Sequence, residues 1–105
     1  MITILNTSIL TEYGEFYYEP VDLEKAKSIL YWGNWQSAIG HESTARIISD
    51  LLEIECPVNR INYSQQIGDR ALVFKLNGRP QEGQILSREE IEKIGYSWGV
   101  ITREK

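Results

Sequence analysis

The single histidine of the chain, His41, follows a glycine and opens an amphipathic segment that carries small polar residues. The pattern predicts a helix from about Gly40 to Glu53, with Ser37 or Gly40 as the N-cap and His41 in the first turn. A helix N-terminus exposes backbone N–H groups and favours phosphate, and a glycine lets a ligand approach the backbone closely.

An imidazole at such a position can act as a general acid near neutral pH, and the hydroxyls of Ser43 and Thr44 add hydrogen-bond donors. The alternative is a surface histidine that merely tolerates the start of a helix. The local pattern by itself favours that alternative, so the catalytic interpretation needs support from the rest of the chain.

A second group of candidate residues lies in the glycine-flanked stretch "GRPQEGQIL", which contains Arg79 and Glu82. Arginine is a good bidentate ligand for phosphate, and a glutamate can orient the guanidinium or act as a base. The alternative is a solvated turn with an ion pair of small energetic value, and the local pattern favours it.

Small polar and aromatic side chains supply two further candidates. Asn6, Thr7 and Ser8 end the first predicted strand and either line a site or begin a turn. An aromatic cluster contains Tyr31, Trp32 and Trp35; such side chains can stack on nucleobases, but packing against the core is the more common role, and we predict core packing here.

Length, charge and cysteine content restrict the class of protein. A chain of 105 residues fits one domain spanning 1–105 and is too small for a deep private cleft, so a large ligand would need a second subunit. The net charge of −4 opposes general binding to duplex nucleic acid. One cysteine and one histidine oppose a metal site, and we expect no cofactor. The N-terminal stretch has no basic leader and is too short to span a bilayer, so we expect no membrane association and a cytoplasmic location.

The elements that must position these residues are predicted from periodicity and caps. We expect a mixed sheet with helices, that is, a single α+β domain of about five strands and three helices. A central strand over 70–77 follows from its run of apolar residues. The predicted strands span 1–10, 14–21, 59–65, 70–77 and the segment from 96; the predicted helices span 22–30, 40–53 and 87–94, and 31–36 is an aromatic loop.

The stretches "LNTSIL", "SAIGHESTARIISDLL", "PVNRI" and "GRPQEGQILSREEI" together resemble the viral ring nucleases, anti-CRISPR enzymes that destroy cyclic tetraadenylate. Their order and spacing cover most of the chain. The combination of Ile-Gly-His-x-x-Thr with Arg-x-x-Glu-Gly-x-Ile-Leu is far more specific than any single stretch.

This resemblance implies a homodimer that encloses one cyclic tetraadenylate across its twofold axis. It implies that His41 is the general acid and that Arg79 and Glu82 are catalytic, with Arg60 in contact with the ligand. It also implies that polar residues at the end of the first strand, Asn6 and Ser8, help to bind the ring. Together with Thr7 and Gly40 from the local pattern, the predicted binding residues are Asn6, Thr7, Ser8, Gly40 and Arg60.

The implied reaction needs no metal: the ribose 2′-hydroxyl attacks the phosphorus, and the products are linear diadenylates with 2′,3′-cyclic phosphate ends. Its biological consequence would be the silencing of type III CRISPR defence. Two alternatives of another class stay open, namely a protein that sequesters the cyclic nucleotide without cutting it and a small regulator encoded by a mobile element.

Overall fold

The computed structural model describes residues 1–78 and 86–105, which form five strands and three helices. This agrees with the predicted α+β class and the predicted number of elements. The strands are β1 (Ile2–Leu5), β2 (Phe16–Val21), β3 (Trp35–Ser37), β4 (Arg70–Leu76) and β5 (Tyr96–Arg103), and the helices are α1 (Leu23–Tyr31), α2 (Glu42–Leu52) and α3 (Arg88–Ile94).

The five strands form one mixed sheet in the order β2-β5-β4-β1-β3. β1 runs parallel to both β3 and β4, whereas β5 runs antiparallel to β4 and β2. β4 therefore lies in the middle, as its apolar run predicted, and the residues from Ala71 to Phe74 are all buried. The carboxyl ends of β1, β3 and β4 share one edge of the sheet because these three strands are parallel.

Local side-chain signals fix the ends of two helices, as expected. The carboxylate of Asp22 accepts a hydrogen bond from the backbone N–H of Lys25 at 2.7 Å and caps α1. Ser87 and Glu90 form a capping box at the start of α3, and Gly95 ends that helix with a φ of 89°, a conformation that favours glycine.

All three helices contribute to the larger hydrophobic core, which covers one face of the sheet. Ile48 and Leu51 of α2 are fully buried there. The other face carries a smaller cluster, to which Tyr63 adds a partly buried ring. Gln65 is completely buried below this second face, where its side-chain N–H groups donate to the carbonyl oxygens of Asp69 and Ile101 at 2.8 and 2.9 Å.

Two predicted elements are wrong, although the total number of strands is right. Residues 59–65 do not form a strand, because their backbone and side chains bond to loops: the N–H of Asn59 donates to Ile39 and that of Gln65 to the Thr11 hydroxyl. The predicted aromatic loop over 31–36 instead contains the end of α1 and the start of β3. This short strand forms because it pairs with β1, a non-local contact that the three-residue sequence does not reveal.

The second strand was predicted over 14–21, and β2 spans Phe16–Val21 with Pro20 inside it. β2 lies at an edge of the sheet and pairs with β5 on one side. A proline is tolerated on an edge strand because its missing N–H costs no ladder hydrogen bond on the open side.

Candidate functional site

His41 lies at the N-cap of α2, at the edge of the sheet where the parallel strands end. Its backbone is extended, with φ −128° and ψ 133°, and its carbonyl oxygen accepts the first helical hydrogen bond from Ala45 at 3.0 Å. The prediction of a first-turn position for His41 was therefore wrong, because the observed cap lies one residue after Gly40 and four residues after Ser37. The consequence is that the imidazole stands in front of the helix end and is exposed to solvent.

The side chain of His41 accepts no hydrogen bond from the first backbone N–H groups of α2. Serine, threonine, aspartate or asparagine usually provides that acceptor, as Asp22 and Ser87 do for α1 and α3. Histidine at this position leaves the amides of α2 to solvent or to an incoming anion. The helix dipole adds a positive potential at the same point.

Arg60 lies beside this helix end because its Nε donates to the carbonyl oxygen of Gly40 at 2.9 Å. The side chain is exposed, so the remaining guanidinium N–H groups face solvent near the histidine loop. Gly40, His41 and Arg60 therefore form one cluster, as the resemblance implies for the binding and catalytic residues.

A buried serine explains why residues so far apart in sequence meet here. Ser37, which is 2% exposed, donates from its hydroxyl to the carbonyl oxygen of Pro57 at 2.6 Å and accepts from the N–H of Ile39 at 3.2 Å. The side chain of Asn59 donates to the Ser37 carbonyl oxygen, and the Asn59 N–H donates to that of Ile39, both at 2.8 Å. These bonds hold the segment before Arg60 alongside the segment before His41.

Ser37 and Asn59 were not singled out as positioning residues from the sequence. The sequence contains both residues in recognisable stretches, Asn59 in "PVNRI" and Ser37 before the apolar pair Ala38 and Ile39. Their positioning role becomes specific only when the two segments are known to lie side by side. The thiol of Cys56 completes this network at 3.6 Å from the Ser37 hydroxyl. Burial raises the pKa of the Cys56 thiol, so the group stays neutral at physiological pH.

Asn6, Thr7 and Ser8 follow β1 directly and are exposed. The N–H of Ala38 donates to the carbonyl oxygen of Ile4 at 3.0 Å, so the chain leaves β1 and β3 at neighbouring positions on the same edge. Within residues 1–78 and 86–105, no side-chain hydrogen bond joins this polar triplet to His41 or Arg60. The two groups share an edge of the sheet but do not contact each other through such bonds.

Arg79 and Glu82, the two other predicted catalytic residues, lie outside the described residues. β4 ends at Leu76, and the described chain continues to Gly78. Because β4 is parallel to β1, this carboxyl end lies at the same edge of the sheet as the ends of β1 and β3.

The aromatic cluster does not have the predicted core role, except at one residue. Trp35 is half-buried and packs against the core, but Tyr31 and Trp32 are 78% and 82% exposed. The reason is that Tyr31 ends α1 and Trp32 forms its C-cap, so both side chains project from the end of the helix. This end of α1 leads directly into the amino end of β3, on the side of the sheet away from His41.

The chemistry available at the His41 cluster is that of anion binding with proton transfer. It combines free helix amides, a guanidinium and an imidazole in an exposed position. Among residues 1–78 and 86–105, no three His, Cys, Asp or Glu side chains are grouped so that they could hold a metal ion. No helix in that part of the chain is long and apolar enough to cross a membrane.

Comparison with known proteins places this fold and site in a family. The chain is 35% identical to Uncharacterized protein 26 of Sulfolobus islandicus filamentous virus, covering 99% of this chain and 95% of that protein. It is 38% identical to Uncharacterized protein ORF117 of Acidianus two-tailed virus, covering 98% and 93%. A bacterial relative, Uncharacterized protein YddF of Bacillus subtilis, is 33% identical over 97% of this chain and 96% of its own length.

The solved structure of B116 of Sulfolobus turreted icosahedral virus has the same architecture. The two chains superpose with a TM-score of 0.81 at 25% identity, covering 97% of this chain and 98% of B116. The model of the STIV B116-like family matches residues 2–98 and thus includes every candidate residue discussed above. The chain belongs to the STIV B116-like family.

Proposed function

We propose that the protein is a metal-independent ring nuclease that cleaves cyclic tetraadenylate and thereby silences type III CRISPR defence. The observation that carries the proposal is the cluster of His41, the uncapped N-terminus of α2 and Arg60 at one edge of the sheet. The resemblance to viral ring nucleases gives these positions their roles, and relatives in two archaeal viruses are compatible with an anti-CRISPR role.

The uncapped amides and Arg60 would bind phosphate groups of the ring. The amides of α2 donate along the helix axis, and Arg60 adds positive charge without losing its bond to Gly40. Asn6, Thr7 and Ser8 would contact the ring from the end of β1. Binding of the closed ring by these groups would hold a ribose 2′-hydroxyl close to the neighbouring phosphorus.

Cleavage forms one P–O bond and breaks another. The 2′-oxygen attacks phosphorus, and the 5′-oxygen leaves with a proton from His41, which gives a 2′,3′-cyclic phosphate. Arg79 would balance charge on the phosphoryl oxygens during the attack. Glu82 would either accept the proton of the 2′-hydroxyl or orient Arg79.

A homodimer is part of this proposal. Exposed apolar side chains follow both groups of proposed binding residues in the sequence, with Ile9 and Leu10 after the polar triplet and Ile61 after Arg60. Apolar residues around a polar site are a common feature of protein interfaces. A twofold dimer would present two His41 side chains to opposite phosphates of the ring and enclose a ligand that one small domain cannot cover.

The decisive experiment incubates the protein with cyclic tetraadenylate in the presence of EDTA and follows the products by chromatography. We expect linear diadenylates with 2′,3′-cyclic phosphate ends from the native protein and from Arg70→Ala. Arg70 is an exposed arginine at the amino end of β4, so it is a matched control for Arg60→Ala. Light scattering with and without the ring tests the dimer, and a monomer under both conditions contradicts it.

Three outcomes separate the competing functions. Cleavage that resists EDTA supports the nuclease. If the ring stays intact but binds tightly, and Arg60→Ala loses this binding, the protein sequesters the ring and is not a nuclease. An intact ring that does not bind removes both functions and leaves a regulator of another kind.

A further inference from the structure

A groove of about 610 Å³ lies between the carboxyl ends of α1 and α2, far from the His41 cluster in the fold. Its lining includes Trp35 and two exposed aromatic residues, Tyr31 and Trp32, which neither the core nor the proposed reaction explains. The ring centroids of Tyr31 and Trp32 are 4.9 Å apart in an edge-to-face arrangement. Two large aromatic side chains exposed together on a small domain are costly unless they meet a ligand.

The charge around these rings is negative. Glu24 and Glu53 line the groove, and Lys27 is the one basic side chain among its described lining residues, at 3.9 and 3.1 Å from the two carboxylates. One ammonium group thus faces two carboxylates that are mostly exposed. The groove keeps an excess of negative charge even with both ion pairs formed.

The helix ends add to this negative potential. α1 ends at Tyr31 and α2 at Leu52, and neither helix has a basic residue in its last turn. The carboxyl end of a helix carries a partial negative charge that a lysine or arginine normally balances. Two such ends meet at the groove, so a cation supplied from outside is favoured and a phosphate-bearing ligand is disfavoured.

We infer that this groove binds an arginine-bearing segment of a partner protein. A guanidinium is planar, stacks on the faces of tryptophan and tyrosine, and donates two parallel hydrogen bonds to a carboxylate. Trp32 offers an exposed ring and Glu53 an exposed carboxylate at the same groove. The charge complementarity is the argument for arginine over an acidic or nucleotide ligand, and it does not depend on the proposed nuclease activity.

The test measures dissociation constants by calorimetry for a short oligo-arginine peptide, with an oligo-lysine peptide of equal length as a probe of charge alone. Trp32→Ala and Glu53→Gln should each weaken the binding of oligo-arginine about three- to thirtyfold. Glu55→Gln removes the same charge two residues away and lies outside the groove, and Tyr13→Ala removes a fully exposed aromatic ring elsewhere. Both controls should bind like the native protein.

Several results would overturn the inference. Equal weakening by Glu53→Gln and Glu55→Gln would mean general attraction to an acidic protein. Equal affinity for the oligo-lysine and oligo-arginine peptides would show that the groove has no preference for arginine. Binding of adenosine monophosphate that is lost in Trp32→Ala would show that the groove is a nucleotide site. If Trp32→Ala converts an oligomer into a monomer, the occupant is a second copy of this chain. Circular dichroism of each variant excludes unfolding as the cause of a loss.

Discussion

Replacing His41 by asparagine should make the protein more stable and at the same time strongly slow the cleavage of cyclic tetraadenylate. In the native protein the N-cap of α2 makes no side-chain hydrogen bond to the helix. Asparagine is among the best N-cap residues, because its side-chain oxygen accepts from a backbone N–H in the first turn. The variant therefore gains a hydrogen bond and loses a proton donor.

The size of both effects follows from the position. Filling an empty N-cap is worth about 1 kcal/mol, and a change of that size raises the melting temperature of a domain of this length by about 4–8 °C. The imidazole is exposed and makes no cap hydrogen bond, so the exchange removes none from the helix end. Removing a positioned general acid lowers the single-turnover rate by about 10²–10⁴-fold.

His41→Ala is the matched control, because alanine neither caps nor donates a proton. It should show the same decrease in single-turnover rate as His41→Asn without the gain in stability. It should also keep the affinity for the ring, whereas the new amide oxygen in His41→Asn competes with phosphate for the helix amides and weakens binding.

The assays are thermal unfolding by circular dichroism, calorimetric binding to the ring and single-turnover cleavage at saturating enzyme. An unchanged melting temperature in His41→Asn would mean that the amides of α2 are already satisfied. A saturated rate that is the same in all three proteins would show that His41 is not the general acid.

Three further predictions concern binding, packing and pH. Arg60→Ala should mainly weaken binding of the ring while Arg79→Ala mainly lowers the rate, as measured by separate binding and single-turnover assays; equal losses in both quantities would contradict this division of roles. Gln65→Leu should lower the free energy of unfolding in urea by about 1–3 kcal/mol, because two hydrogen bonds to carbonyl oxygens are lost while the Asp69 oxygen keeps the N–H of Arg103 as a donor; an unchanged midpoint would contradict it. Burial raises the pKa of Cys56 above the ordinary 9.0, so the folded state holds the thiol proton more tightly and stability should fall as pH rises above 9.0; Cys56→Ser should lose that decline, as alkaline urea titrations can show.

Local signals in the sequence were sufficient where the physical cause is local. Asp22, Ser87 and Glu90 cap helices through residues three positions away, so their roles can be read from a short window. The buried run of β4 was equally clear, because a strand covered on both faces needs apolar residues throughout.

Other elements depend on distant contacts that no short window contains. β3 has three residues and is a strand because Trp35 to Ser37 pair with β1. Residues 59–65 look like a strand, but Asn59 bonds to the loop before α2 and Gln65 to buried carbonyls. In both cases the partner, not the propensity of the segment, decides the structure.

At the candidate site, too, local features were predictable from the sequence and features that depend on distant contacts were not. The pattern around His41 indicated a helix start, and the resemblance identified Arg60, but the bond from Arg60 to Gly40 follows from the Ser37 network. The exposure of Tyr31 and Trp32 was not predictable either, because it depends on where α1 ends relative to β3.

The pairing of β1 has a consequence for how the chain is made. The first strand to be synthesised lies between two parallel partners, with Ile2 opposite Trp35 on one side and Arg70 on the other. β2, the next strand, pairs with the last one, where Phe16 lies opposite Arg103. Such distant pairings make folding slow, because long stretches of chain must close into loops before any ladder forms.

A ribosome-bound chain that lacks β5 therefore leaves β2 without its partner strand and one edge of β4 unpaired. Truncation at either end should give no folded fragment that retains His41 and Arg60 in place. Because β2 pairs only with β5 in this sheet, the ladder at that edge cannot form until the ribosome has released β5.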